Sequence, residues 1–567
     1  MCSATSETQL TRHDDVAVGE ARSLPSNGRL SRQRVAHTVV LLGAIAAFGG
    51  VAAQLLSLGM TPRPVMALAA AEPIATSYSR PDIIDRNGRL LATDLEAPSL
   101  FADPAMVLDR DEVVEKLATV LPELNQADLR HQLLDKNRRF VWIARGLSPA
   151  VAQRVHNLGL PGLAFRGELR RAYPAGMLAG HVLGAVNIDN KGVSGIEKYI
   201  DDDVGVDAVH SARLSTRAPV RLSLDIGVQH ALEDELDTAI SRFHTTGAAG
   251  LVLDIKTGEV LASASFPRVD PGRPSGQPDT AVLDKISAST FELGSVFKTL
   301  TIAMALDEGI AKPSSMYDVR TPLQAGRYTI SDFHSAGRPL SVAEIFTHSS
   351  NVGTGMLALQ AGPQRMKGFL DKLGLLGSMK TETGAISAPQ LPRAWERAEL
   401  ITTSYGHGIA VAPLQFAAAS ASLFNGHGRL VPTFLRTDGA AHDRQIVVTA
   451  ETSRQMARLF RSNVIDQDGT GERADVVGYR VGGKTGTADL AGSGGYKAKS
   501  VISSFLAAFP MDAPRYMTFV LLFEPNGTAE TGGQRTASTN AAPVTARLIT
   551  RIAPQLGVVP VLIAATQ

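Results

Sequence analysis

The chain has 567 residues, of which 44% are hydrophobic and 20% charged, a composition typical of globular rather than disordered proteins. This length exceeds what one hydrophobic core usually supports and predicts two or more folded units. The formal net charge of +1 gives no indication of a nucleic-acid partner, and the single cysteine, Cys2, excludes an intrachain disulfide and a cysteine-based zinc site.

An uncharged apolar run from Val35 to Met60 is long enough to span a bilayer, which takes about 20 such residues. Three arginines stand just before it: Arg29, Arg32 and Arg34. Positive charge on this side predicts that residues 1–34 stay in the cytoplasm and that the bulk of the protein is extracytoplasmic. A cleaved signal peptide is the alternative, although the apolar run exceeds the usual signal core.

The segments after the apolar run predict a small mixed domain. Prolines and alanines at 61–77 indicate a linker, and Asn87-Gly88 between two apolar runs predicts a β-hairpin within 80–92. Helical patterns follow at 110–121, 126–134 and 148–157. His181, in a glycine-rich stretch, is expected to be packed and hydrogen-bonded, because no second ligand lies at metal spacing.

A new pattern begins near residue 221. Strands are predicted at 250–255, 259–264, 478–483, 501–509 and 516–523, with a closing helix at 541–553. Helices are predicted to fill much of 295–460. Strands at both ends with helices between predict an α+β fold, in which an antiparallel sheet joins N- and C-terminal segments and carries an inserted helical lobe.

The first candidate catalytic residues are Ser295 and Lys298. Gly294 breaks the backbone ahead of a run of good helix formers, so Ser295 is predicted in the first turn of an apolar helix. Side chains three positions apart share a helix face, so the hydroxyl and the amine can meet. A desolvated lysine can accept the proton of a serine nucleophile. Taken alone, the pair also fits an ordinary helix start with a solvated lysine.

Two further motifs follow in a fixed order. Ser349-Ser350-Asn351 is predicted in a polar loop between helices, and Lys484-Thr485-Gly486-Thr487 at the end of a strand run over 477–483. Two look-alikes break the order, because Lys256-Thr257-Gly258 precedes Ser295 and Ser538-Thr539-Asn540 follows Lys484. Only the set at 295, 349 and 484 gives the ordered motifs of the penicillin-recognising serine enzymes.

The chain resembles the class B penicillin-binding proteins, most of all the division-specific type, over roughly residues 35–555. Blocks outside the three motifs carry the same resemblance: 80–92, 173–197, 222–225, 250–264, 406–415 and 541–543. The resemblance implies a single transmembrane helix, an elongated pedestal domain of the dimerisation type and a transpeptidase domain. The predicted divisions are a tail (1–34), a transmembrane helix (35–60), a linker (61–77), the pedestal (78–220), the transpeptidase domain (221–556) and a C-terminal tail (557–567).

The resemblance also implies roles for the motif residues. Ser295 would form an acyl-enzyme with a D-alanyl-D-alanine stem peptide, and Lys298 would take its proton. Ser349 would pass a proton to the leaving amine, while Asn351 would hold the substrate amide and position Lys298. For substrate binding, Lys484 would supply positive charge, the hydroxyls of Thr485 and Thr487 would bind the terminal carboxylate, and Gly486 would let the substrate approach the strand edge. The backbone N–H groups of Ser295 and Thr487 would form the oxyanion hole. Neither a cofactor nor a metal is expected.

Expected partners are stem peptides, lipid-linked nascent strands, a polytopic septal glycosyltransferase and other division proteins, with β-lactams as inhibitors. Four alternatives remain open at this point: an elongation-specific transpeptidase, a D,D-carboxypeptidase, a β-lactamase, and a penicillin-binding-like sensor or scaffold. A hydrolase needs a fast deacylating base, and no motif clearly supplies one. A bifunctional polymerase is disfavoured by the short segment between the apolar run and the transpeptidase domain, in which no glycosyltransferase-like acidic motif is found.

Overall fold

The computed structural model describes residues 29–60, 79–202, 218–273, 282–326, 328–426, 428–437, 446–492 and 495–561. Internal contacts divide the chain into two compact units, Met1–Thr76 and Ser77–Gln567. In the first unit, helix α1 (Arg29–Met60) contains the span His37–Ser57, which by length and composition can cross a membrane. The helix begins before Val35, because arginine is a good helix former.

The N-terminal part of the second unit is a small α/β assembly. Its elements are strands β1 (Ile83–Ile84) and β2 (Leu90–Ala102), helices α2 (Arg110–Val120) and α3 (Gln126–Gln132), strand β3 (Val141–Ala144), helix α4 (Pro149–His156), strand β4 (Leu163–Ala172), and helices α5 (Gly180–Leu183) and α6 (Gly195–Asp202). Strand β2 pairs antiparallel with β1, β3 and β4.

Local signals placed these elements well. The predicted hairpin is confirmed as β1 and β2, although within Asn87-Gly88 only Gly88 has a positive φ, of 86°. The turn is longer than two residues, because the Asp85 carboxylate accepts hydrogen bonds from the N–H groups of Asn87 and Arg89. His181 is hydrogen-bonded through Nε2 to the Val282 carbonyl at 2.9 Å, as expected.

The rest of the second unit contains the larger sheet and most of the helices. Its elements are β5 (Val220–Arg221), α7 (Ile226–Phe243), β6 (Gly247–Asp254), β7 (Val260–Ser265), α8 (Lys298–Asp307), β8 (Met316–Tyr317), β9 (Leu323–Ala325), β10 (Tyr328–Ile330), β11 (Leu340–Ser341), α9 (Val342–Thr347), α10 (Asn351–Lys372), β12 (Met379–Thr381), β13 (Gly384–Ile386), α11 (Arg397–Ser404), α12 (Pro413–Ala421), α13 (Ala450–Ile465), β14 (Gly482–Gly492), β15 (Gly495–Phe509), β16 (Tyr516–Phe523) and α14 (Ala541–Gln555).

Five strands form one antiparallel sheet in the order β14-β15-β16-β6-β7, which confirms the predicted joining of N- and C-terminal segments. Successive side chains of a strand point to opposite faces. In β16, Phe519 and Leu521 therefore enter the core that contains α8 and α12, while Val520 and Leu522 enter the core that contains α7 and α14. The sheet is thus covered on both faces, and β14 lies at its edge.

Two sequence expectations for this part are corrected. The segment 295–460 also contains short β-hairpins, β9 with β10 and β12 with β13. The strand predicted at 478–483 is wrong: Tyr479 N–H closes a turn onto the Val476 carbonyl, Arg480 has a φ of 45°, and β14 begins only at Gly482. Pairing with β15 then extends the strand to Gly492, so Lys484 to Thr487 lie inside the strand.

Candidate active site

Ser295 lies in a tight turn at the start of α8. Residues Gly294–Phe297 form a turn of 3-10 helix that leads directly into α8, close to the predicted helix start. Gly294 has a φ of 58°, and a Cβ atom at this position would lie 2.5 Å from the Thr487 carbonyl oxygen. Only glycine meets both conditions. The half-buried Ser295 is therefore held directly against strand β14.

Lys298 is fully buried, with 0% of its side chain exposed. Its Nζ donates hydrogen bonds to the Ser349 carbonyl oxygen and to Ser349 Oγ, the latter at 3.0 Å. Burial lowers the pKa of Lys298 well below its usual range, and the charge of Lys484 lowers it further, while Asp332 acts in the opposite direction. These effects favour the neutral amine, which can accept a proton.

The predicted contact between the Ser295 hydroxyl and the Lys298 amine is not a hydrogen bond in the structure. Within the described residues, the hydrogen bonds of Lys298 go to Ser349, and none joins Lys298 to the Ser295 hydroxyl. Catalytic hydrogen bonds often tighten only when substrate binds, so the lack of this bond without substrate does not exclude Lys298 as the base.

The Ser349 motif forms the connection between α9 and α10, as predicted. Ser349 has a φ of 59°, a conformation uncommon for a residue with a side chain. Ser350 precedes α10, and its hydroxyl accepts a hydrogen bond from Gly353 N–H at 2.9 Å. Asn351 is the first residue of α10 and donates from Nδ2 to the Ser331 carbonyl at 3.4 Å. The motif is therefore a rigid helix start.

Asp332 fixes this helix start and was missed from the sequence. Its carboxylate accepts hydrogen bonds from Ser350 Oγ at 2.6 Å and from Val352 N–H at 2.9 Å. The partners lie 18 and 20 positions away in the chain, so no local pattern indicates the contact. A carboxylate at the N-terminus of a helix is stabilised by the helix dipole. Asp332 is also a negative charge that acts on Lys298.

Strand β14 supplies the other side of the site. Lys484 is fully buried, and burial lowers its pKa to about 7. Its Nζ lies 3.4 Å from Thr485 Oγ1 and 5.8 Å from the centre of the Phe346 ring. Thr485 and Thr487 share one face of the strand, and Thr487 is only half-buried.

Gly486 allows the Ser295 turn and β14 to touch. A Cβ atom at this position would lie 2.5 Å from Ser504 Oγ, 2.8 Å from the Leu293 carbonyl oxygen and 2.9 Å from Val296 Cγ1. The family resemblance explains this glycine by the approach of substrate to the strand. The structure adds a second reason, because the chain's own packing leaves no room for a side chain here.

The structure brings the three ordered motifs together and gives the look-alikes structural positions. Lys298 contacts Ser349 and is affected by the charge of Lys484, while Gly294 lies against Thr487. Lys256-Thr257-Gly258 forms the turn between β6 and β7. Asn540 begins helix α14, where its Oδ1 accepts from Ala541 N–H, and it is fully buried.

Comparison with known proteins is consistent with this arrangement. Residues 248–550 match the penicillin binding protein transpeptidase domain family, and residues 76–207 match the penicillin-binding protein dimerisation domain family. The probable peptidoglycan D,D-transpeptidase FtsI of Caulobacter vibrioides is 40% identical over 489 residues, which are 85% of this chain and 82% of the relative. The probable peptidoglycan D,D-transpeptidase PenA of Neisseria meningitidis is 31% identical over 541 residues, 90% of this chain and 91% of the relative.

The fold also matches a solved structure. Penicillin binding protein 3 of Mycobacterium tuberculosis superimposes with a TM-score of 0.65 at 24% identity, over 86% of this chain and 99% of that protein. For this chain, the matching family models, the relatives and the geometry of the three motifs agree. The chain belongs to the class B penicillin-binding proteins, of the division-specific type.

Proposed function

We propose that the protein is a D,D-transpeptidase that cross-links peptidoglycan stem peptides through an acyl-enzyme on Ser295. The observation that carries the proposal is the buried Lys298, whose amine is hydrogen-bonded to Ser349 beside the Ser295 turn and near the edge strand β14. A nucleophile, a desolvated base and a strand edge that can receive an extended peptide suit acyl transfer from a peptide donor.

In the first step, Ser295 Oγ attacks the carbonyl carbon between the two terminal D-alanines. The hydroxyl proton passes to Lys298 as the C–O bond forms, and the backbone N–H groups of Ser295 and Thr487 stabilise the oxyanion. Such donors contribute about 3–4 kcal/mol in the transition state of acyl transfer. Gly294 against the Thr487 carbonyl supports this role, because it holds the two backbone segments together.

The C–N bond then breaks, and the departing D-alanine amine needs a proton. Ser349 Oγ, 3.0 Å from Lys298 Nζ, can pass it from the lysine to the amine. Asn351 holds the substrate amide. Lys484 supplies positive charge to the terminal carboxylate, which Thr485 and Thr487 bind through their hydroxyls.

An amine from a second stem peptide next attacks the ester carbonyl and releases Ser295. The product is a cross-link made without ATP, because the acyl-enzyme retains the energy of the broken peptide bond. A β-lactam acylates the same serine and leaves a slow ester. The penicillin binding protein 3 of Mycobacterium tuberculosis has been solved complexed with ampicillin, which agrees with this expectation.

The cellular setting is also part of the proposal. We place residues 1–34 in the cytoplasm, α1 in the inner membrane and the catalytic part in the periplasm, where nascent strands meet their acceptors. Residues 78–220 would act as a pedestal that docks a polytopic septal glycosyltransferase and other division proteins, and 221–556 as the transpeptidase domain. Midcell localisation of a fluorescent fusion supports the septal role, whereas side-wall localisation contradicts it.

Covalent labelling of the full chain by a fluorescent penicillin tests the enzyme assignment. We expect wild type to be labelled, Ser295→Ala to remain unlabelled, and the control Lys256→Ala, in the look-alike turn, to label normally. Labelling of Ser295→Ala at the wild-type rate refutes the assignment of the nucleophile. Rapid turnover of a chromogenic β-lactam favours a hydrolase instead.

A further inference from the structure

A closed circuit of hydrogen bonds surrounds Thr485 in strand β14. Lys484 Nζ lies 3.4 Å from Thr485 Oγ1, and Thr485 Oγ1 donates to Thr470 Oγ1 at 2.8 Å. Thr470 Oγ1 donates to Asn463 Oδ1 at 3.0 Å, and Asn463 Nδ2 donates to the Gly483 carbonyl at 2.8 Å. Gly483 directly precedes Lys484, so the circuit returns to the strand from which it starts.

The orientation of the Asn463 amide is fixed by its neighbours. Its Nδ2 faces a carbonyl oxygen, which can only accept, and its Oδ1 faces the Thr470 N–H at 3.2 Å, which can only donate. Asn463 is fully buried, with 0% exposed. The Thr470 hydroxyl therefore meets an acceptor on the Asn463 side, and this assigns the donor direction at every hydroxyl of the circuit.

The loop after α13 is shaped to bring Thr470 to this place. Gly469 and Gly471 flank it, and Gly471 N–H donates to the Asn463 carbonyl at 3.0 Å. A Cβ atom at Gly471 would lie 3.0 Å from Asn463 Nδ2, and one at Gly469 would collide with the Asn463 carbonyl. The loop can thus close around Asn463 because glycine at 469 avoids a clash and glycine at 471 leaves the Asn463 amide unstrained, which holds the Thr470 hydroxyl against Thr485.

This arrangement leaves Thr485 with its single proton directed at Thr470. A carboxylate has no proton and must be met by donors, so Thr485 cannot bind it in this state. Both hydroxyls can reverse without movement of heavy atoms: Thr470 then donates to Thr485, and Thr485 donates to the carboxylate. Asn463 Oδ1 keeps the Thr470 N–H, so no buried acceptor is left unsatisfied.

We propose that Thr470 is a positioning residue for recognition of the substrate's terminal carboxylate, because its hydroxyl holds Thr485 and exchanges donor and acceptor roles with it on binding. The proposal rests on the proposed function, since it concerns the carboxylate of the acyl donor. A hydroxyl that itself accepts a hydrogen bond is a stronger donor, so the reversed chain strengthens the contact of Thr485 with the carboxylate. Thr470 touches no reacting atom.

The test compares a penicillin with its methyl ester, which lacks the carboxylate charge, as ligands of the purified full chain. We expect Thr470→Val to lower the second-order acylation rate for the penicillin about fivefold, the size of one hydrogen bond between neutral groups, because Thr470 donates to the Thr485 hydroxyl and not to the carboxylate itself. The rate for the ester should not change. Thr470→Ser, which keeps the hydroxyl, should restore the wild-type ratio of the two rates. In a Thr485→Val background, Thr470→Val should cause no further loss.

Several outcomes overturn the proposal. If Thr470→Val slows acylation equally with the penicillin and its ester, the residue has a merely structural role. If Thr470→Val leaves the ratio of the two rates unchanged, or if the losses add in the double variant, the two hydroxyls are not linked. Thermal melting checks the fold, and Thr470→Ala provides a second removal of the hydroxyl if the valine variant melts below the assay temperature. Absence of labelling in wild type refutes the proposed function itself, whereas normal labelling with an unchanged ratio refutes only the role of Thr470.

Discussion

The two buried lysines predict a bell-shaped dependence of acylation on pH. Lys298 acts as a base and must be neutral, whereas Lys484 must carry charge to attract a carboxylate. The charge of Lys484 is one of the causes that lower the pKa of Lys298, which favours a neutral Lys298 beside a charged Lys484. Between the two deprotonations lies the active form.

The magnitude on the basic side follows from the pKa of Lys484, which burial lowers to about 7. The protonated fraction falls from about a half at pH 7 to about a tenth at pH 8, and about tenfold for each further unit. The second-order rate constant for acylation by a penicillin should therefore drop about fivefold between pH 7 and pH 8. The maximal rate at saturation should fall less, because a bound carboxylate raises the pKa of Lys484.

Stopped-flow acylation by a fluorescent penicillin between pH 5 and pH 9 measures the profile, and far-ultraviolet circular dichroism checks that the fold persists. The penicillin methyl ester serves as the control, since it presents no carboxylate to Lys484 and should lose the basic limb while keeping the acidic one. A flat rate between pH 7 and pH 9, or the same basic limb with the ester, would show that Lys484 does not act through charge.

Three further predictions concern single substitutions. Lys484→Met should abolish acylation and yet raise the melting temperature near pH 6, because a buried cation costs stability. Between the folded pKa of about 7 and the ordinary 10.5, the unfolded chain binds more protons than the folded chain. Wild type therefore gains stability with rising pH in that window, and the variant should not. A variant whose melting temperature stays below wild type at pH 6 contradicts this. Gly486→Ala should lower the stability by about 1–3 kcal/mol through overpacking against the Leu293 carbonyl and should slow acylation sharply, as seen by urea unfolding and penicillin labelling. Normal labelling of this variant would show that acylation does not depend on the close packing at Gly486. Asp332→Asn removes a negative charge that raises the pKa of Lys298, so the acidic limb of the pH–rate profile should move to lower pH; an unmoved limb argues against this charge effect.

Much of the site could be predicted because catalytic chemistry constrains residue type and order. Ser295, Lys298, Ser349 and Lys484 were identified from spacing and sequence order, and the structure brings them together. Order also separated the true lysine motif from the look-alike at Lys256, which lies in a turn. Their catalytic roles remain predictions that the labelling and pH experiments test.

Other parts could not be predicted, since they depend on contacts between distant segments. Asp332 and Ser350 are 18 positions apart, and Asn463 reaches the carbonyl of Gly483 20 positions away. The Gly469-Thr470-Gly471 triplet after a helix was a usable signal for an unusual loop, but nothing local indicates that the loop closes on Thr485.

The sequence by itself determined the apolar N-terminal helix, the helices of the N-terminal part, most strands of the antiparallel sheet and the order of the motifs, because hydrophobic periodicity and turn residues act between near neighbours. Tertiary structure alone decided where β14 begins, since its register is set by pairing Lys484 with Leu506 of β15. It also lowered the pKa values of the two lysines, because desolvation exists only once distant segments exclude water from both amines.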